Sequence, residues 1–211
     1  MSTATQETFT GFAEAKVSKL PALSCVGTVE EVGEGKLSST ENYVVQPISI
    51  RATGPGRSIT FRILYRPEWF EPTFDPNSLE EYGPEGSKML AVYRKNIAAK
   101  GGIAALKGLA GSEENYVKLA KALLTAQDKS IEGVRETLRT FFSENDVEVG
   151  YVLKQRKDKV GEDENGKGIY ELANGYEVGE FYFPTAENLK KQVQRANRSK
   201  DGSFRVAFDQ E

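Results

Sequence analysis

Alternation of apolar and polar residues is the first signal along the chain. From Ile59 to Arg66, the residues Ile59, Phe61, Ile63 and Tyr65 fall on one face and Thr60, Arg62, Leu64 and Arg66 on the other, the two-residue period of a strand. Tyr43 to Arg51 alternates too, with Val44, Ile48 and Ile50 together. Cys25 to Val32 is rich in β-branched residues and runs into Gly33-Glu34-Gly35, a turn signal, as is Gly54-Pro55-Gly56. Later, Val147, Val149, Tyr151 and Leu153 alternate. Glu164-Asn165-Gly166 and Asn174-Gly175 carry hairpin-turn residues, which predicts strands near 168–173 and 176–183.

Between these strand blocks the period changes. Ser87 to Leu109 is rich in Ala, Lys and Leu but is interrupted by Gly101-Gly102. Ser112 is a predicted N-cap, with Glu113 and Glu114 in the first turn and Val117, Ala120, Leu123 and Leu124 as the apolar stripe. Ser130 caps a further predicted helix, with Ile131, Val134, Leu138 and Phe141 inward, and Thr185 caps a last one over 186–198. Residues 1–22 lack periodicity and read as a flexible arm. The chain therefore divides into that arm, a strand-built body over 23–185 with a helical insertion at 87–142, and a C-terminal helix and tail at 186–211. There is no internal repeat.

Composition narrows the chemistry. The 211 residues include no histidine and one cysteine. Ser-His and Cys-His catalysis, imidazole ligands, CxxC metal sites and an intrachain disulfide are thereby excluded. Cys25, in a β-branched stretch, reads as core rather than nucleophile. Gly33 to Ser38 lacks phosphate-loop spacing, with Leu37 where a hydroxyl should sit, so a β-turn is the better reading. Glu162 to Gly166 lacks calcium-loop spacing and reads as a hairpin tip. With no carboxylates clustered in an apolar frame, the expectation is no enzyme and no metal or cofactor; acids working with a divalent metal on phosphodiesters are the enzymatic alternative. No apolar run approaches the ~18–20 residues of a membrane span, and residues 1–16 hold no apolar signal core. A soluble, cytoplasmic protein is expected.

The net charge of −3 hides alternating patches. Residues 71–87 hold five acids and no base, residues 88–142 ten bases and five acids, and residues 188–205 six bases and one acid. Bases interleave with aromatics on predicted strands: Arg51, Arg57, Arg62, Tyr65, Arg66 and Trp69, then Tyr93 and Arg94, then Tyr151 followed by Lys154, Arg156 and Lys157. This pattern suits single-stranded nucleic acid, whose phosphates need cations and whose unpaired bases need rings to stack on. Periodicity leaves Phe61 and Tyr65 open between core and ligand-facing positions, Trp69 and Phe70 between stacking and covering a core edge, and Lys154 to Lys159 between a site and a solvated strand end.

Three strands, a helical insertion and further strands in hairpins make a mainly β, α+β chain. The order matches a five-stranded OB-type barrel with its helical segment between strands 3 and 4. With its basic–aromatic third strand and a tail ending Phe208-Asp209-Gln210-Glu211, the chain resembles the OB-fold single-stranded-DNA-binding proteins of bacteriophages. The resemblance implies sequence-tolerant coating of single strands in DNA replication or recombination, inside a host cell if the source is viral. It also implies replication partners for the C-terminal tail; a homodimer is compatible with it. The alternative is a structural or interaction protein, such as a virion component, whose charge patches pair between subunits.

Overall fold

The computed structural model describes residues 18–39, 43–52, 58–66, 70 and 103–208. Strands β1 (Ala22–Val32), β2 (Lys36–Leu37), β3 (Val44–Ala52) and β4 (Ser58–Tyr65) come first. Helices α1 (Ile103–Leu109), α2 (Glu113–Thr125) and α3 (Ile131–Glu144) follow. The chain returns to strand in β5 (Glu148–Glu162) and β6 (Gly168–Tyr182), then forms α4 (Ala186–Arg198) and β7 (Phe204–Val206). The fold is mainly β with a helical insertion, as the pattern predicts.

All seven strands join one sheet. Its central order is β4-β3-β1-β5-β6, antiparallel throughout. β2 continues the line of β1 along β3, and β7 runs parallel to the start of β1. Among the described residues no ladder joins β4 to β6, so the sheet is open. It is nevertheless strongly curled. Four strand spacings would hold β4 and β6 roughly 19 Å apart in a flat sheet, yet the rings of Phe61 and Phe181 meet edge to face at 4.9 Å.

The concave face is the core. Val44, Gln46, Ile48 and Ile50 of β3 point into it, with Ile63 and Tyr65 of β4 and Val149 and Tyr151 of β5. The helices cover it with Leu106, Leu109, Leu119, Leu123, Val134, Leu138 and Phe141. The predicted N-caps form: Ser112 accepts from the Asn115 amide, Ser130 from Gly133 and Thr185 from Asn188, each satisfying a donor that helix geometry leaves unpaired.

Two turn signals act differently from expectation. Gly33 to Gly35 does not reverse the chain but kinks it, so that β1 and β2 both pair with β3. The kink passes Pro47, which has no amide hydrogen to give a ladder, and a Cβ at Gly35 would lie 2.5 Å from Gln46 Oε1. Gly166 does turn, at φ 74°, with its amide on the Asp163 carbonyl. Asn174-Gly175 instead forms a bulge inside β6, because pairing to β5 resumes on both sides, Leu172 opposite Lys157 and Tyr176 opposite Gln155. Beyond the Leu23–Leu153 pair, the last between β1 and β5 in that direction, β5 and β6 run on as a two-stranded arm.

Candidate nucleic-acid interface

The expected cations fall into two groups. Opposed residues of an antiparallel pair share a face. Arg51 faces Ser58, Thr60 faces Ser49, and Arg62 faces Pro47. Arg51 and Arg62 therefore lie on the convex side of β3 and β4, and Arg66 follows the last residue of β4. That surface is polar, with the Ser49 and Thr60 hydroxyls 3.3 Å apart. It also carries an acid: Glu30 of β1 lies 3.6 Å from Arg51 and accepts a 2.6 Å hydrogen bond from Ser58. Arg62 is exposed, and among the described residues no carboxylate lies within 4.0 Å of it. Arg66 is half-buried.

Tyr65 is corrected from stacking residue to core residue. It is 1% exposed, so its ring has no face to offer a base. Its hydroxyl donates to Gln46 Oε1 at 3.2 Å, while Gln46 Nε2 donates to the Gly33 carbonyl. Burial pushes the Tyr65 phenol well above its ordinary pKa. Phe70 is core as well, its ring 5.5 Å from that of Tyr65. Arg57, Trp69, Tyr93, Arg94 and tail residues 209–211 lie outside the described residues.

The second group stands on the arm. Lys154 reaches Glu180 at 4.0 Å. Arg156 holds Asp158 with two 2.9 Å bonds, which raise its already high pKa. Lys157 is exposed opposite Leu172, and Lys159 stands opposite Tyr170. The arm is thus two-faced: Lys157, Lys159, Tyr170 and Leu172 on one side, Asp158 paired with Glu171 on the other. Tyr170, 60% exposed, is the ring that sequence reasoning missed. Counting outward from the Gly166 turn sets it against Val160; only the register shift between Lys159 and Gly161 brings Lys159 opposite it.

In the sheet, β3 and β1 separate β4 from β5; the curl brings β4 back against β6. Between them lies a cleft of about 330 Å³ lined by Phe61, Lys107, Gly108, Val178, Phe181 and Phe183. Gly108 is required there, since a Cβ would lie 2.2 Å from that of Phe181. Lys107, ion-paired to Glu113 at 2.7 Å, sits 5.8 Å from the Phe183 ring centre.

Cys25 is buried, and desolvation pushes its thiol up to about 11, which leaves little thiolate for nucleophilic chemistry. Among the described residues no helix is long and apolar enough to cross a membrane. Comparison of the chain with protein-family models, with curated proteins and with solved structures gave no match.

Proposed function

We propose that this chain binds single-stranded DNA with little sequence preference, in replication or recombination in the cytoplasm of a host cell, on an OB-type barrel that requires no metal or cofactor. One observation carries the reading: the strand order with its cations. Unrolled between its third and fifth strands, an OB barrel reads 3-2-1-4-5, which is the order β4-β3-β1-β5-β6, with the helical insertion after the third strand. Such barrels meet oligonucleotides on the face of strands 2 and 3 and on the loops joining strands 1–2 and 4–5. Arg51 and Arg62 lie on the first of these surfaces, with Arg66 just past the end of β4, and Lys154, Arg156 and Lys157 on the arm that corresponds to the last. In this reading the guanidiniums and ammoniums hold phosphates, and Trp69, Tyr93 and Tyr170 offer rings to bases.

The test is a titration of labelled oligo(dT) at two salt concentrations. Binding at low salt is expected, with log K falling by about 0.7 per phosphate contact for each decade of salt, and quenching of Trp69, the sole tryptophan. Absence of both quenching and binding at low salt overturns the reading.

A second reading has one observation in its favour. Val160, Ile169, Tyr170 and Leu172 leave apolar surface exposed on the arm, which suits pairing between copies in a structural assembly. Light scattering after size exclusion separates the two: a stable oligomer indifferent to oligonucleotide supports the second.

A further inference from the structure

The helix that follows β6 carries charge that the β3–β4 face does not use. Lys191, Arg195 and Arg198 recur at i, i+4 and i+7 on α4, one stripe along the helix, while Leu189, Val193 and Ala196 repeat the same spacing on the opposite, half-buried side. Lys190, Arg198, Lys200 and Arg205 are all exposed, and among the described residues none has a carboxylate within 4.0 Å. The nearby acids are already engaged. Glu187 holds Lys191 at 2.6 Å. Asp201 accepts from the Ser203 amide and the Ser199 hydroxyl, which lowers its pKa to about 2.

This cationic surface is fixed and joins the base of the arm. Arg195 lies over Phe204 of β7, 4.2 Å from its ring centre, and binds Glu180 of β6 at 2.7 Å. The same carboxylate takes Lys154, so one acid ties α4 to the arm. Arg205 of β7 is close enough to Tyr176 of β6 to oppose part of the upward shift that burial gives that phenol. β7 in turn is locked to β1 through Ala22–Phe204 and Ser24–Val206. The arm's cations therefore continue onto the C-terminal unit, whereas β3 and β1 lie between them and Arg62 in the sheet.

We propose that α4 and β7 form a second phosphate-binding surface, carried by Lys190, Arg198, Lys200 and Arg205. It takes the backbone of a single strand that has already engaged the β3–β4 face and runs past the arm. This rests on the proposed function, and it makes binding depend on strand length in a way the β3–β4 face alone does not. A strand too short to leave the first face gains nothing from α4; a longer one gains phosphate contacts.

The test compares the parent with the Lys190→Glu/Arg198→Glu double variant on oligo(dT) of about 6 and about 30 nucleotides, one within and one well beyond the ~4–16 nucleotides of one OB unit. Circular dichroism and a thermal melt check that both proteins fold alike. The variant is expected to match the parent on the short strand. On the long strand it binds more weakly, with a log K against log salt slope shallower by about 1.4, or about 0.7 for each lost phosphate contact. Equal affinity of variant and parent for the long strand overturns the second surface and leaves the β3–β4 reading standing. Equal loss on both lengths also overturns it, because α4 then belongs to the first contact. A parent that binds neither length overturns the proposed function itself.

Discussion

Tyr65 and Arg62 lie three residues apart in β4 and have opposite fates. Alternation separates their faces but does not say which face turns inward, because an amphipathic strand reads the same from either side. The core partner decides it. Gln46, fully buried in β3, has an amide oxygen that must find a donor, and the Tyr65 hydroxyl supplies it. Replacing Tyr65 with Phe keeps the ring and strands that oxygen. The Tyr65→Phe variant should lose about 1–3 kcal/mol of stability, the cost of an unsatisfied buried acceptor, measured by urea unfolding. Its affinity for oligo(dT) should stay as it was. Normal unfolding combined with weakened binding would return Tyr65 to the ligand side. Cys25 was easier to read, since a lone thiol in a β-branched stretch has little else to do than fill space.

Local chemistry made the helix starts legible. Ser112, Ser130 and Thr185 act within three residues of themselves, and the structure caps all three helices with them. Turns were legible only where nothing distant intervened. Asn165-Gly166 and Asn174-Gly175 offer similar dipeptides. The first closes on itself, with Asp163 Oδ1 accepting from the amides of Asn165 and Lys167. The second lies opposite a strand that pairs on past it, so the extra residues bulge. That choice belongs to the β5 residues Gln155 to Lys157 that face it from far back along the chain, and no window around Asn174 contains it. The arm so formed makes its own test. Tyr170 stands against Lys159 on the cationic side, where a base stacked on the ring would hold its phosphate near an ammonium. The Tyr170→Ala variant should lose about 1–3 kcal/mol of oligo(dT) binding, roughly 5- to 150-fold, while Tyr170→Phe retains it. An alanine variant that binds like its parent removes the arm's ring from the interface.

Across the molecule, several of the cations that would hold DNA are held already, by carboxylates of the same chain. Glu30 faces Arg51, Asp158 grips Arg156, and Glu180 takes both Lys154 and Arg195. A net charge of −3 therefore coexists with basic surfaces whose charge is partly answered in place. These pairs are solvent-exposed and individually weak, so a phosphate chain can exchange for them. Sequence could give the patch totals but not this pairing, because Glu30 and Arg51 meet only once β1 lies beside β3. If the carboxylate competes with phosphate, neutralising it must help the ligand. The Glu30→Gln variant should bind oligo(dT) about two- to fivefold more tightly at low salt, the equivalent of one surface ion pair released, with the gain shrinking as salt rises and screens it. Unchanged or weaker binding by that variant, measured by anisotropy beside the parent, would mean that the β3–β4 face is not where the strand lies.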